Sequence, residues 1–128
     1  MTRRFAMACR LRPLNRDEYL TLHANVWPGV EQTLRDCGIR NFTIFVRGDV
    51  LFGYFEYVGE DYASDQAKMA ADPVTQRWWA LTDPCQYGFD EDAPTDARWQ
   101  ELDEVWHLED GNAVVPTGPT TSPSPGPG

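Results

Sequence analysis

The stretch Asn41-Phe42-Thr43-Ile44-Phe45-Val46-Arg47-Gly48-Asp49-Val50-Leu51-Phe52-Gly53-Tyr54-Phe55-Glu56-Tyr57 reads as two strands folded back on each other. Residues 41–46 alternate, with Phe42, Ile44 and Val46 on one face, and residues 50–57 are rich in aromatic and β-branched side chains. Gly48-Asp49 is a two-residue loop of the Gly-X type, which joins neighbouring strands antiparallel. What flanks this hairpin then decides the fold.

On the N-terminal side, Arg4 to Leu11 alternates, with Phe5, Met7, Cys9 and Leu11 on one side, and reads as a half-buried strand ended by Pro13. Arg3, Arg4, Arg10 and Arg12 form its solvated face. Asn15 is expected to cap a helix, with Glu18 in a capping-box position and Leu14 stapled onto Tyr19. That helix carries an apolar stripe of Tyr19, Val26/Trp27, Val30 and Leu34, and His23 falls inside it. A histidine there is either a satisfied core residue or a proton-transfer group at the bottom of a pocket. Pro28 lacks an N–H and collides with the carbonyl of Ala24, so the helix must kink or break near Trp27. The bend either follows the sheet or opens polar backbone beside a ligand. Gly38 supplies the stop.

On the C-terminal side, Asp61 caps a helical segment from Tyr62 to about Ala71. Asp72 and Pro73 start a further helix through Leu81 with a stripe of Val74, Trp78 and Leu81. Residues 82–98 are rich in loop formers. Trp99 to Leu108 reads as the last strand, with Leu102, Trp106 and Leu108 on one face. From Gly111 the chain is Pro, Gly, Ser and Thr with almost no apolar bulk, so a folded domain over 1–110 and a disordered tail over 111–128 are expected. The order β-α-β-β-α-β is the ferredoxin-like split βαβ pattern, an α+β fold with an antiparallel four-stranded sheet and both helical layers on one face. The apolar residues of the other face predict a homodimer that packs two sheets together.

The chain has 128 residues, 41% hydrophobic and 24% charged, which is enough for one domain with a core. A net charge of −9 excludes nucleic acid as a partner class, since phosphate binding needs a basic patch. No apolar run is long enough to span a bilayer, and no apolar leader follows the N-terminal arginines, so no membrane partner and a cytoplasmic location are expected. Cys9, Cys37 and Cys85 are widely spaced, with no CxxC and no metal-ligand spacing; reduced thiols fit, with Cys9 and Cys37 as small core fillers. There is no Gly-rich phosphate loop, no GxSxG and no HExxH.

Tyr19, Trp27, Phe42, Trp78 and Trp79, together with His23, lie on segments that should converge. Aromatic walls with a few polar groups suit a sugar, whose CH face stacks on rings while polar groups fix its hydroxyls. Aromatics at helical spacing also build ordinary cores. Trp78 and Trp79 point about 100° apart on a helix, so one can be core while the other lines a cavity. His107 falls opposite Trp106 as a partly exposed strand residue, and Asp90-Glu91-Asp92 reads as a solvated loop. Asp83 is either a helix-end turn residue or a second acid/base group.

The segments His23-Ala24-Asn25-Val26-Trp27-Pro28, Asn41-Phe42-Thr43-Ile44-Phe45, Gln76-Arg77-Trp78-Trp79 and Leu102-Asp103-Glu104-Val105-Trp106-His107-Leu108 resemble the L-rhamnose mutarotase family, in the same order and spacing over about residues 4–109. The resemblance implies a dimeric α+β barrel that uses no metal and no cofactor and interconverts the α and β anomers of L-rhamnopyranose. It matches the family's catalytic histidine to His23, its helix tyrosine to Tyr19 and its tryptophan pair to Trp78 and Trp79. Phe42 stands where the family usually has a sugar-binding tyrosine, and loss of that hydroxyl could shift the preferred sugar. L-fucose mutarotase activity therefore stays open.

Mutarotation opens a hemiacetal ring, rotates the aldehyde and recloses it, which needs one proton donor and one acceptor and no nucleophile. Histidine starts near the working pH. His23 is expected as the donor, Tyr19 orients the sugar or shares the transfer, and Trp78 and Trp79 stack on the ring and hold the C6 methyl. The base is unassigned. Two other readings compete: a haem-degrading or quinol monooxygenase of the dimeric α+β barrel type, built on Asn25, His23 and Trp27, and a non-catalytic sugar-binding module.

Overall fold

The structure is a computed structural model in which residues 2–89 and 98–108 are described. The expected tail from residue 111 and the acidic run at 90–92 lie outside them. Strand β1 (Arg3–Leu11) is followed by α1 (Arg16–Ala24), α2 (Pro28–Asp36), the hairpin β2 (Ile39–Arg47) and β3 (Val50–Tyr57), α3 (Tyr62–Ala71), α4 (Pro73–Thr82), and two short strands, β4 (Gln86–Tyr87) and β5 (Gln100–Leu102). The sheet order is β2-β3-β1-β4, with β5 also on β1, and every pairing is antiparallel.

Local chemistry sets most of these boundaries. Gly48 turns the hairpin at φ +60°, and Gly38 stops α2 at φ +82°, both left-handed conformations that glycine adopts without a Cβ penalty. Pro28 breaks the helix outright, leaving α1 and α2 as separate nine-residue segments with Pro28 in the first turn of the second. Asp61 accepts from the Ser64 N–H to start α3. Asp72 starts α4 by accepting from both the N–H (2.9 Å) and the hydroxyl (2.8 Å) of Thr75.

Four expectations are corrected. Asn15 makes no backbone cap; its amide donates to the Glu18 carboxylate (3.1 Å), because a 3₁₀ turn over Pro13–Asn15 leaves Asn15 outside the extended region that capping needs. The same turn carries Leu14 into solvent, 99% exposed, so no staple forms. The buried face of α4 is Thr75, Trp78 and Thr82, with Leu81 exposed. The last strand pairs over residues 100–102 alone, and 103–108 runs on exposed, tied back by an Arg4–Glu104 ion pair (2.7 Å). The edge position beside β1 is shared, because β4 takes Arg10 and Leu11 while β5 takes Ala6 to Ala8.

Opposed residues share a sheet face, so Met7, Cys9, Ile44, Leu51, Gly53 and Phe55 look toward the helices. A bulge in β2 sets two residues, Asn41 and Phe42, against Phe55, with Asn41 at φ 53°. The extra residue lets Ile39 and Ile44 share the helix face although their numbers differ in parity. The outer face carries Phe45 (60% exposed), Phe52 and Leu102 without a covering layer. Cys9, Cys37 and Cys85 are buried free thiols, and burial pushes Cys9 up to about 12.

The hydrogen bonds from Thr75 hold the Asp72 carboxyl below its ordinary value of 3.8. A lowered folded-state pKa contributes stability that is complete above the unfolded value and lost as pH falls through the folded one. Asp72→Ala is therefore expected to lower the urea midpoint at pH 7. The gap from wild type should close as the titration is repeated below pH 3.8.

Candidate active site

The helix-side core is divided. One cluster holds Cys9, Leu11, Tyr19, Leu51 and Cys85, and the other Cys37, Ile39, Phe55, Tyr57 and Met69. A cavity of about 660 Å³ is walled by both, through Tyr19, Ile44 and Trp99 on one side and Ile39, Phe55 and Trp79 on the other. That volume suits a small molecule. Gly53 is part of its bounding: a Cβ there would lie 2.9 Å from Met7 Cε and 3.5 Å from Trp99 Cζ3, so the two side chains lie across the sheet where a larger residue would stand.

His23 sits in the last turn of α1 on the cavity wall. Its Nδ1 lies 3.0 Å from the Tyr19 carbonyl, and its ring stacks on the Tyr19 ring with centroids 4.1 Å apart. A carbonyl can only accept, so in the neutral ring Nδ1 carries the proton and Nε2 is left as an acceptor. Burial lowers its pKa below 6.5, and the Tyr19 carbonyl, which favours the charged form, offsets part of that. The resting imidazole is neutral at pH 7.

Tyr19 is 1% exposed yet reaches the cavity wall. Its hydroxyl accepts a hydrogen bond from Gln86 Nε2 (3.2 Å), and burial raises its pKa well above the usual phenol range. Trp78 and Trp79 both border the cavity. Trp78 is 5% exposed, with its ring edge-on to His23 and to Trp27 (5.2 Å each), while Trp79 is partly open and packs on the second cluster. The expected division between a core and a lining tryptophan is thus a matter of degree. Phe42, placed by the bulge, lines the opposite wall and meets Phe55 edge-on at 5.7 Å.

Trp27 does not reach the cavity, and Asn25 is exposed, so of Asn25, His23 and Trp27 just His23 is on the wall. His107 is exposed in the segment after β5. Asp83 is the helix-end residue expected of it, its N–H capping α4 on the Trp79 carbonyl; it also borders the cavity, where burial raises its carboxyl against the pull of Arg98. Gln86, Arg98 and Trp99 are wall residues that the sequence reading did not single out. Gln86 arrives because β4 pairs with the end of β1, a contact with no periodic signal in the chain. Among the described residues, no group of three or more His, Cys, Asp and Glu is placed to hold a metal ion, and no helix is long and apolar enough to cross a membrane.

The model of the L-rhamnose mutarotase family matches residues 4–108. The chain is 32% identical over 99 residues to an L-rhamnose mutarotase of Oceanobacillus iheyensis, covering 76% of this chain and 89% of the relative. It is 36% identical over 93 residues to an L-fucose mutarotase of Xanthomonas campestris pv. campestris, covering 71% and 73%. Its fold is similar to the crystal structure of an L-rhamnose mutarotase from Formosa agariphila, with a TM-score of 0.64 at 22% identity over 84% of this chain and 99% of that one. The chain thus has the α+β fold of the dimeric α+β barrel class. Matched from its first strand to the end of the described residues, the chain belongs to the L-rhamnose mutarotase family.

Proposed function

We propose that this protein is an isomerase that interconverts the α and β anomers of L-rhamnopyranose, with His23 as the catalytic residue. The observation that carries this reading is a neutral imidazole, fixed in one tautomer by the Tyr19 carbonyl, on the wall of an aromatic cavity of sugar-binding size. In ring opening, His23 Nε2 takes the proton of the anomeric hydroxyl while the bond from C1 to the ring oxygen breaks. The ring oxygen takes a proton from the Tyr19 hydroxyl. Rotation about C1–C2 presents the other carbonyl face, the hydroxyl attacks it, Tyr19 recovers its proton, and the imidazolium returns its own to the new anomeric oxygen. His23 is thus acceptor in opening and donor in closing, and no net proton is consumed. Phe42, Trp78 and Trp79 supply apolar wall for the CH face and the C6 methyl.

L-fucose is the second substrate reading. It is favoured by Phe42, which offers no hydroxyl, and by the likeness to a relative named L-fucose mutarotase. We further propose a homodimer that covers Phe45, Phe52 and Leu102 sheet to sheet, and a cytoplasmic location, consistent with three buried free thiols.

Anomer exchange followed by saturation-transfer NMR tests the reading. Wild type should speed exchange of L-rhamnose, and His23→Ala should lose roughly 10²- to 10⁴-fold with its fold intact; a variant that binds and exchanges like wild type removes His23 from the chemistry. After subtraction of the uncatalysed rate, kcat/KM should be flat above neutrality and fall in acid with a midpoint below 6.5, since protonation removes the acceptor. A midpoint above 6.5 contradicts the neutral resting state. Phe42→Tyr should move the ratio of kcat/KM for L-rhamnose over L-fucose upward by roughly tenfold, the worth of one hydrogen bond. An unchanged ratio makes the absent hydroxyl irrelevant to sugar choice.

A further inference from the structure

Resting on that reading, we infer that Gln86 is a positioning residue that sets the polarity of the Tyr19 hydroxyl, so that the phenol meets the sugar as a proton donor. An amide nitrogen donates and cannot accept. With Gln86 Nε2 donating to the Tyr19 oxygen at 3.2 Å, the phenol proton has to leave in another direction. Among the described residues no side chain or carbonyl accepts it. The titratable groups around the phenol are the Cys9 thiol from β1, the Cys85 thiol from the turn before β4, and the His23 ring from its own helix. Both thiols are raised by burial and stay protonated, and the His23 nitrogen nearer the helix is engaged with the Tyr19 carbonyl. A sugar oxygen in the cavity is the acceptor left.

Gln86 is built to hold this role. It is 5% exposed, its strand pairs with Leu11, and its own N–H donates to the Asp83 carbonyl. Arg12 N–H donates to the neighbouring Cys85 carbonyl at 2.8 Å, so the backbone is pinned on both sides of the side chain. A residue that merely filled space here would need no amide, and a buried amide without a partner is costly. The Tyr19 oxygen supplies that partner, and the exchange of one hydrogen bond fixes which way the other points.

The test is a reversal of polarity. Gln86→Leu removes the donor and should lower kcat for anomer exchange roughly tenfold with little change in KM. Gln86→Glu keeps size and shape but places an acceptor against the phenol at neutral pH, drawing its proton away from the sugar. It should lose roughly a hundredfold or more, the worth of a general acid, and its activity relative to wild type at the same pH should rise as pH falls and the carboxyl protonates into a donor. Gln86→Glu that performs as well as Gln86→Leu at neutral pH, while His23→Ala is inactive, overturns the assignment and leaves the mutarotase reading standing. Wild type without catalysed exchange overturns both. Should Gln86→Glu fail to fold, a double-mutant cycle decides: Gln86→Leu is expected to cost nothing further in a Tyr19→Phe background, and an additive loss refutes action through Tyr19.

Discussion

One turn of helix fixes the imidazole on the cavity wall. The Tyr19 carbonyl binds His23 Nδ1, and the Tyr19 ring lies under the His23 ring, so a single residue sets both the tautomer and the orientation of the imidazole. Both restraints come from residues four apart on α1, the spacing at which side chains meet on one face. Burial then keeps the ring uncharged, because an imidazolium would lose hydration that the aromatic walls cannot replace. Trp78 braces the same ring from α4, tying the second helical layer to the first. The Tyr19 hydroxyl is held in turn by Gln86, and much of the remaining wall is aromatic and aliphatic surface.

The cavity follows from two interruptions of regular structure. Pro28 ends α1 just past His23 and starts a new helix, so the apolar stripe passes a corner at Val26 before continuing through Val30 and Leu34 on the cavity wall. The bulge at Asn41-Phe42 shifts the parity of β2 and turns the Phe42 ring toward the helices. Asn41 holds its left-handed backbone with help from a hydrogen bond to Glu56 (3.1 Å), a conformation that asparagine tolerates better than most side chains. The packed interior is left in two halves with the cavity between them, whose lining atoms lack packing partners on that side.

Much of this was legible in the chain because its causes are local. Gly48, Gly38, Asp61 and Asp72-Pro73 act within a few residues of themselves, and each ends or begins an element where read. Helical spacing puts Tyr19 and His23 on one face of α1, while the site roles read for Tyr19, His23, Trp78 and Trp79 came from the family resemblance. What failed had either a local cause without a periodic signal, as in the 3₁₀ turn at Pro13–Asn15, or a distant pairing. The alternation of Leu102, Trp106 and Leu108 promised a long strand, but β1 gives β5 a short stretch of its edge and the rest stays exposed, Trp106 by 66%. Along α4 the stripe rotates by one residue around Trp78, because Thr75 satisfies its hydroxyl on Asp72 and can be buried where a bare hydroxyl could not. Gln86 is 67 positions from Tyr19 and joins it solely through β4. The donor's role read for His23 is half of the cycle proposed for it, since the lowered pKa depends on surroundings that composition does not reveal.

Gly53 leaves space in the middle of β3 that the end of the Met7 side chain occupies. Its bare α-carbon is the floor on which Met7 and Trp99 recline. A methyl group there would meet Met7 Cε at 2.9 Å and displace the end of that flexible side chain, while Trp99 Cζ3 at 3.5 Å would stay in ordinary contact, and no hydrogen-bonding group would change. The packing at the middle of β3 and the polar groups of the cavity wall, Asp83, Gln86 and Arg98, thus lie on separate parts of the chain, so bulk at one can change without a change in the other.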